Sequence, residues 1–191
     1  MSLKKKSVLR DWVESIIVAF LLAMVIRAFV VQAFKIPTGS MRMTLLEGDL
    51  ILVNKFIYGA KVPFMNLRLP ALREPKRGDV LVFIYPEDKD KDFIKRLVGL
   101  PGETVEIKGG SIYINDKPAQ EPVFNRVYYY NRGDFGAEGQ KITVPKGSYF
   151  VLGDNSASSK DSRYWGFVPK DNLLGKALIV YWPLSRMRAI K

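Results

Sequence analysis

The sequence predicts a mainly β, antiparallel, barrel-like domain carried behind one apolar helix, and three observations predict it. One long apolar stretch is present, near the N-terminus. Beyond it, short apolar runs recur with turn dipeptides between them. No second segment sustains the 3.6-residue apolar period of a long helix.

The first element is the apolar stretch. Lys4, Lys5, Lys6 and Arg10 precede residues 12–34, of which 16–26 form an unbroken apolar run followed by Arg27. A bilayer-spanning helix needs about 20 mostly apolar residues. This stretch reaches that length only by accommodating Arg27, whose stem can carry the charge to an interface. The lysines predict a cytoplasmic N-terminus. The expected division is a basic segment over 1–11, a transmembrane anchor over 12–32 and an extracytoplasmic β domain over 33–191. Two other readings stay open: a cleavable signal peptide ending at Val31-Gln32-Ala33, and a buried amphipathic helix.

The strands follow. Runs at 49–54, 79–85, 93–98, 104–107, 111–114, 149–152 and 176–182 read as β. Arg77-Gly78, Pro101-Gly102, Gly109-Gly110, Asn115-Asp116, Lys146-Gly147 and Gly153-Asp154 supply turns between them. Residues 123–140, with Tyr128, Tyr129, Tyr130, Gly133, Gly136 and Gly139, read as a short inserted hairpin or lobe.

Composition narrows the chemistry. With 48% apolar and 12% aromatic residues in 191, the chain can bury a core. It has no cysteine and no histidine, which removes disulfides, thiolate nucleophiles and the usual zinc ligands. No metal or cofactor is implied. The net charge of +11 comes from scattered basic residues without a nucleic-acid-binding motif. Plain solubility, and attraction to anionic headgroups at about 1 kcal/mol per nearby basic residue, are the readings it fits better. A lipid bilayer is the expected partner and nucleic acid is not; no oligomeric state follows.

Without histidine a Ser-His-Asp triad is impossible. A hydroxyl can instead be activated by a neutral lysine amine, provided burial lowers the lysine pKa from its usual ~10.4. Arginine cannot serve, because it stays charged. Three segments bear on this. In Lys35-Ile36-Pro37-Thr38-Gly39-Ser40-Met41, Ser40 is a candidate nucleophile, although Thr-Gly-Ser also reads as a turn. In Phe93-Ile94-Lys95-Arg96-Leu97-Val98, strand alternation places Lys95 with Phe93 and Leu97, and Arg96 with Ile94 and Val98. One of the two charges must then face apolar surface. Residues 153–169, "GDNSASSKDSRYWGFVP", crowd small hydroxyls and charges ahead of an aromatic run.

Taken together, "FKIPTGSM", "FIKRLVGLPGE" and "GDNSASSKDSRYWGFVP", with "EGDLILVNKFIYG" and "KRGDVLVF", resemble the conserved boxes of bacterial type I signal peptidase, in order, from about Trp12 to Pro183. The resemblance implies a membrane-anchored serine endopeptidase that removes signal peptides from exported preproteins at the outer face of the cytoplasmic membrane. It makes Ser40 the nucleophile and Lys95 the general base. Thr38 and the Ser40 N–H become the oxyanion hole, and Ser159 the group that orients the lysine. Asp161 and Arg163 become a supporting ion pair, with Asp154 and Asn155 in the turn leading to it. Phe34, Ile36, Ile51, Val82 and Ile94 would line the pocket for the residue three before the cut. Ile36, Met41, Leu45 and Phe93 would line the adjacent one, both suited to small residues such as alanine. Met43 stands where the family often has proline. Ser156, Ala157 and Ser158 replace residues that are often charged or amide-bearing. Two further readings remain: a Ser-Lys protease of a dedicated assembly substrate, and a membrane-tethered binding module without catalysis.

Overall fold

The computed structural model describes residues 8–62 and 67–190. Helix α1 (Val8–Val25) runs into a π-helical turn, Ile26–Val30, and together they form a 23-residue apolar span. None of its residues is buried against the rest of the chain. Its length and composition match a bilayer crossing. Lys4, Lys5 and Lys6, on which the expected orientation rests, lie outside the described residues.

The helix gives way directly to strand β1 (Val31–Lys35). The expected anchor over 12–32 therefore overran the helix by two residues and hid a strand. Val31 to Lys35 pair with Asn54 to Leu50 of β2 (Leu50–Asn54), a non-local pairing that no helical period can announce. Strands β3 (Val80–Ile84), β4 (Asp92–Gly99), β5 (Thr104–Lys108) and β6 (Ser111–Ile114) fall close to the expected runs. So do β9 (Ser148–Leu152) and β11 (Leu173–Trp182). Four two-residue strands carried no sequence signal: β7 (Lys117–Pro118), β8 (Ile142–Thr143), β10 (Val168–Pro169) and β12 (Arg188–Ala189).

The main sheet is antiparallel in the order β1-β2-β11-β3-β4-β9-β10, with β12 on β11. Register shifts where β11 meets β2 and β3, and where β4 meets β9, mark bulges. Bulges add local twist and bend a strand, and the sheet curls into an open half-barrel. A second sheet, β7-β6-β5-β8, packs its apolar face with Phe124, Tyr129, Phe150 and Leu152. Residues 123–140 form no hairpin. They hold one 3-10 turn, Phe124–Arg126, and otherwise run irregularly. Tyr129 and Phe124 tuck into the second core while Asn131 donates to the Ile107 and Gly136 carbonyls.

Two places on this frame matter for chemistry. A 3-10 turn, Gly39–Met41, leads off the end of β1. Strand β4 pairs with β3 through residues 92–96, but with β9 only from Arg96 onward. The chain leaves β9 after Leu152, so among the described residues no strand lies beside one edge of β4 at residues 92–95.

Candidate active site

Ser40 and Lys95 come from elements 55 positions apart, and Lys95 Nζ lies 2.8 Å from Ser40 Oγ. Both residues are buried, at 8% and 4% exposure. Lys95 also donates to the Ile94 carbonyl at 2.9 Å, and its amine lies 5.3 Å from the Phe93 ring centre. Phe93 is itself stacked on Tyr85 and edge-on to Trp165, which thickens the apolar wall beside the amine. Burial pushes the Lys95 pKa down from 10.5 to about 8, against the opposing pull of Asp161 and Asp154. Strand alternation requires at least one of Lys95 and Arg96 to face apolar surface, and in the structure both are buried, Arg96 with no exposure at all. The other face of β4 is equally dry, and Arg96 is held there by partners described below.

The shift has a stability consequence. Below about pH 8 both folded and unfolded chains carry the Lys95 proton. Between about 8 and 10.5 the folded protein has lost it while the unfolded chain keeps it, so unfolding takes up a proton and stability rises with pH. From this group alone, stability is expected to increase by about 3 kcal/mol across that window. Urea titrations of wild type and Lys95→Met check it, because the slope of wild type minus variant isolates this group's contribution.

The turn bearing Ser40 is clamped from the third segment. Asn155 N–H donates to the Ser40 carbonyl at 3.0 Å, and Asn155 Nδ2 donates to the Gly39 carbonyl at 2.9 Å. Asp154 N–H reaches Met41 Sδ at 3.4 Å. A Cβ on Gly153 would collide with Ser159 Oγ and the Ser40 carbonyl oxygen. Close approach, not backbone angle, demands glycine there.

Two buried ion pairs hold this clamp. Asp161 and Arg163, both without exposure, pair at 2.8 Å through Nε and again through Nη2. Asp161 also caps the short helix α2 (Ser162–Trp165) and accepts from Gly153 N–H at 3.0 Å. Arg163 spends its remaining donors on the Tyr130 and Ser156 carbonyls and the Ser156 hydroxyl. Ser156 thus supplies the bonding that its replacement of a larger polar residue had put in doubt. The second pair was not foreseen. Arg96 Nε and Nη2 reach the two carboxylate oxygens of Asp154 at 2.8 and 2.6 Å, with side chains 0% and 1% exposed. Its only sequence signal was a charge inside an apolar strand.

Of the other expected site residues, Thr38 is exposed beside Ser40 and lines the same small cavity, of about 100 Å³, with Pro37, Asp92, Phe93, Ile94 and Lys95. Next to it a tighter cavity of about 40 Å³ is lined by Phe34, Ile36, Ile51, Val82 and Ile94, together with Lys35, Pro37, Asp92 and Phe93. All five residues expected at the far pocket meet there. The near pocket differs. Met41 and Leu45 have no exposure and pack in the core with Ile51, Val53 and Val180. They form the floor beneath the serine turn, because the clamp from Asp154 and Asn155 presses that turn onto the sheet. Ser159 is buried, but its Oγ has no hydrogen-bond partner, so the expected bond to Lys95 is not made. Among the described residues no group of acidic side chains is arranged to hold a metal ion.

Residues 9–182 match the family described as "Signal peptidase, peptidase S26". The chain is 36% identical to signal peptidase I of Pseudomonas aeruginosa over 97% of its own length and 77% of the relative's. It is 34% identical to signal peptidase IB of Staphylococcus aureus over 96% and 94% respectively. A crystal structure of a signal peptidase I from Enterococcus faecalis, 36% identical, covers 56% of this chain and 98% of that one with a TM-score of 0.43.

Proposed function

The chain belongs to the peptidase S26 signal peptidase family, and from that premise we propose that it cleaves signal peptides with a Ser40–Lys95 dyad. The 2.8 Å approach of Lys95 Nζ to Ser40 Oγ inside a dry pocket is the observation that carries the reading. Neutral Lys95 takes the Ser40 proton as Oγ attacks the carbonyl of the residue before the cut. The Ser40 N–H and the Thr38 hydroxyl receive the developing oxyanion. Protonated Lys95 then donates to the leaving amine, and the acyl-enzyme is hydrolysed by a water that Lys95 deprotonates.

The substrate lies as an extended strand along the open edge of β4 at residues 92–95. Its side chains one and three residues before the cut then enter the two cavities. At about 40 Å³ the far cavity admits a methyl group and turns away larger ones. The apolar span Val8–Val30 anchors the enzyme in the bacterial cytoplasmic membrane, with the N-terminus inside and the β domain outside, where signal-peptide junctions emerge.

The test is cleavage of a preprotein ending in Ala-x-Ala against one with Phe three residues before the cut. The first is expected to be processed and the second refused. Ile94 borders both cavities, so Ile94→Ala is expected to raise the relative kcat/KM for Val or Leu at that position by roughly tenfold. Cleavage confined to one dedicated substrate, with generic Ala-x-Ala junctions untouched, would overturn the reading.

A further inference from the structure

We infer that Thr44 is a positioning residue for the dyad: its hydroxyl joins the serine turn, the lysine strand and the third segment at one point. The inference rests on the Ser40–Lys95 reading and adds a residue that the reading leaves without a role.

Thr44 lies one turn beyond Ser40, and its N–H donates to the Met41 carbonyl at 2.8 Å. Its Oγ1 donates to Asp154 Oδ2 at 2.5 Å and accepts from Arg96 Nη2 at 2.9 Å. Arg96 is the residue after Lys95 on β4, and the two share one stretch of backbone. Asp154 precedes Asn155, whose N–H and amide hold the Ser40 and Gly39 carbonyls. The three segments that meet at the dyad therefore meet a second time, one layer below it, around a single hydroxyl. Arg96 and Asp154 are almost fully buried, and Thr44 is part-buried. Shared charge-assisted bonds in a dry site are short and directional.

Removing the hydroxyl while keeping its volume leaves Asp154 short of one donor and Arg96 short of one acceptor. The pair is then free to shift relative to the serine turn. A misplacement of about 1 Å at reacting groups costs up to about 10²-fold in rate. The cost falls on kcat, since neither cavity is lined by Thr44. Asp154 also acts on Lys95 through its charge. A carboxylate that has lost a donor is less neutralised, so it holds the Lys95 proton more firmly.

Thr44→Val and Thr44→Ser in the full chain, assayed on an Ala-x-Ala peptide, test this. Thr44→Val is expected to lower kcat by about 10- to 100-fold with KM within about twofold. Its pH–rate profile should move to higher pH. Thr44→Ser, which restores the hydroxyl, should recover kcat to within about threefold and return the profile. Wild-type kcat in Thr44→Val would overturn the inference. So would a loss that follows thermal stability alone, with the serine variant no better and the profile unmoved. Lys95→Arg run in parallel separates the two readings: if it is inactive while Thr44→Val is fully active, the dyad stands and Thr44 has no part in it.

Discussion

Lys95→Arg is expected to lower kcat/KM by at least about 10³-fold while leaving the fold intact. Arginine keeps a positive charge and some of the length, but at accessible pH it never offers a lone pair to a serine proton. Lys95 differs because burial behind Phe93 and against Ser40 has brought its pKa to about 8. At pH 7 about a tenth of the free enzyme then holds the neutral amine. The wild-type kcat/KM should accordingly fall about tenfold per pH unit below 8 and level off above it. Ser40→Ala should be as inactive as Lys95→Arg, and the double variant no worse than either, because residues acting as a unit are not additive. Preprotein processing followed by gel shift, with circular dichroism as the folding control, reads all three. Activity in Lys95→Arg within tenfold of wild type would sink the dyad.

The second large effect concerns stability. Asp154→Ala is expected to cost about 3–5 kcal/mol, because it strands the buried Arg96 charge. For a chain of this size that is a fall in Tm of roughly 10 °C or more. Replacing both partners with apolar residues of similar volume, Arg96→Met with Asp154→Leu, should cost much less than the two single changes summed. The exposed pair Arg42–Glu47 is a natural control: its side chains are 61% and 39% exposed, and breaking it should cost under about 1 kcal/mol. A thermal melt in which Asp154→Ala behaves like Glu47→Ala would show the buried pair to be dispensable.

Most of the central strands were legible because each is a short apolar run closed by a turn. β1 was not. Residues 31–34 continue the apolar composition of the helix with Gln32 as their one polar residue, and what makes them a strand is Leu50–Asn54 arriving from elsewhere. The two-residue strands are fixed by their neighbours and carry no pattern of their own. At the site, the absence of histidine made Ser40 and Lys95 candidates, and it was the resemblance that paired them and supplied the far-pocket residues. Arg96 and Asp154 could not be paired, since a contact across 58 positions leaves no local trace. Met41 and Leu45 were placed in a pocket because they are apolar and near the serine. Their depth depends on how hard the clamp presses the turn down, which is a tertiary property. Ser40 and Met41 adjoin in sequence, yet one faces the cleft and the other the core.

The unpaired edge of β4 beside Lys95 bears on how one protease can serve many exported proteins. A peptide that completes a sheet is gripped largely through its backbone, and every peptide has the same backbone. On the proposed reading, side chains are inspected where the two small cavities lie. Unrelated sequences therefore pass equally well provided they are extended and small at two places. The same economy defines an inhibitor: an extended backbone mimic with two methyl-sized groups and an electrophile facing Ser40 would need little else.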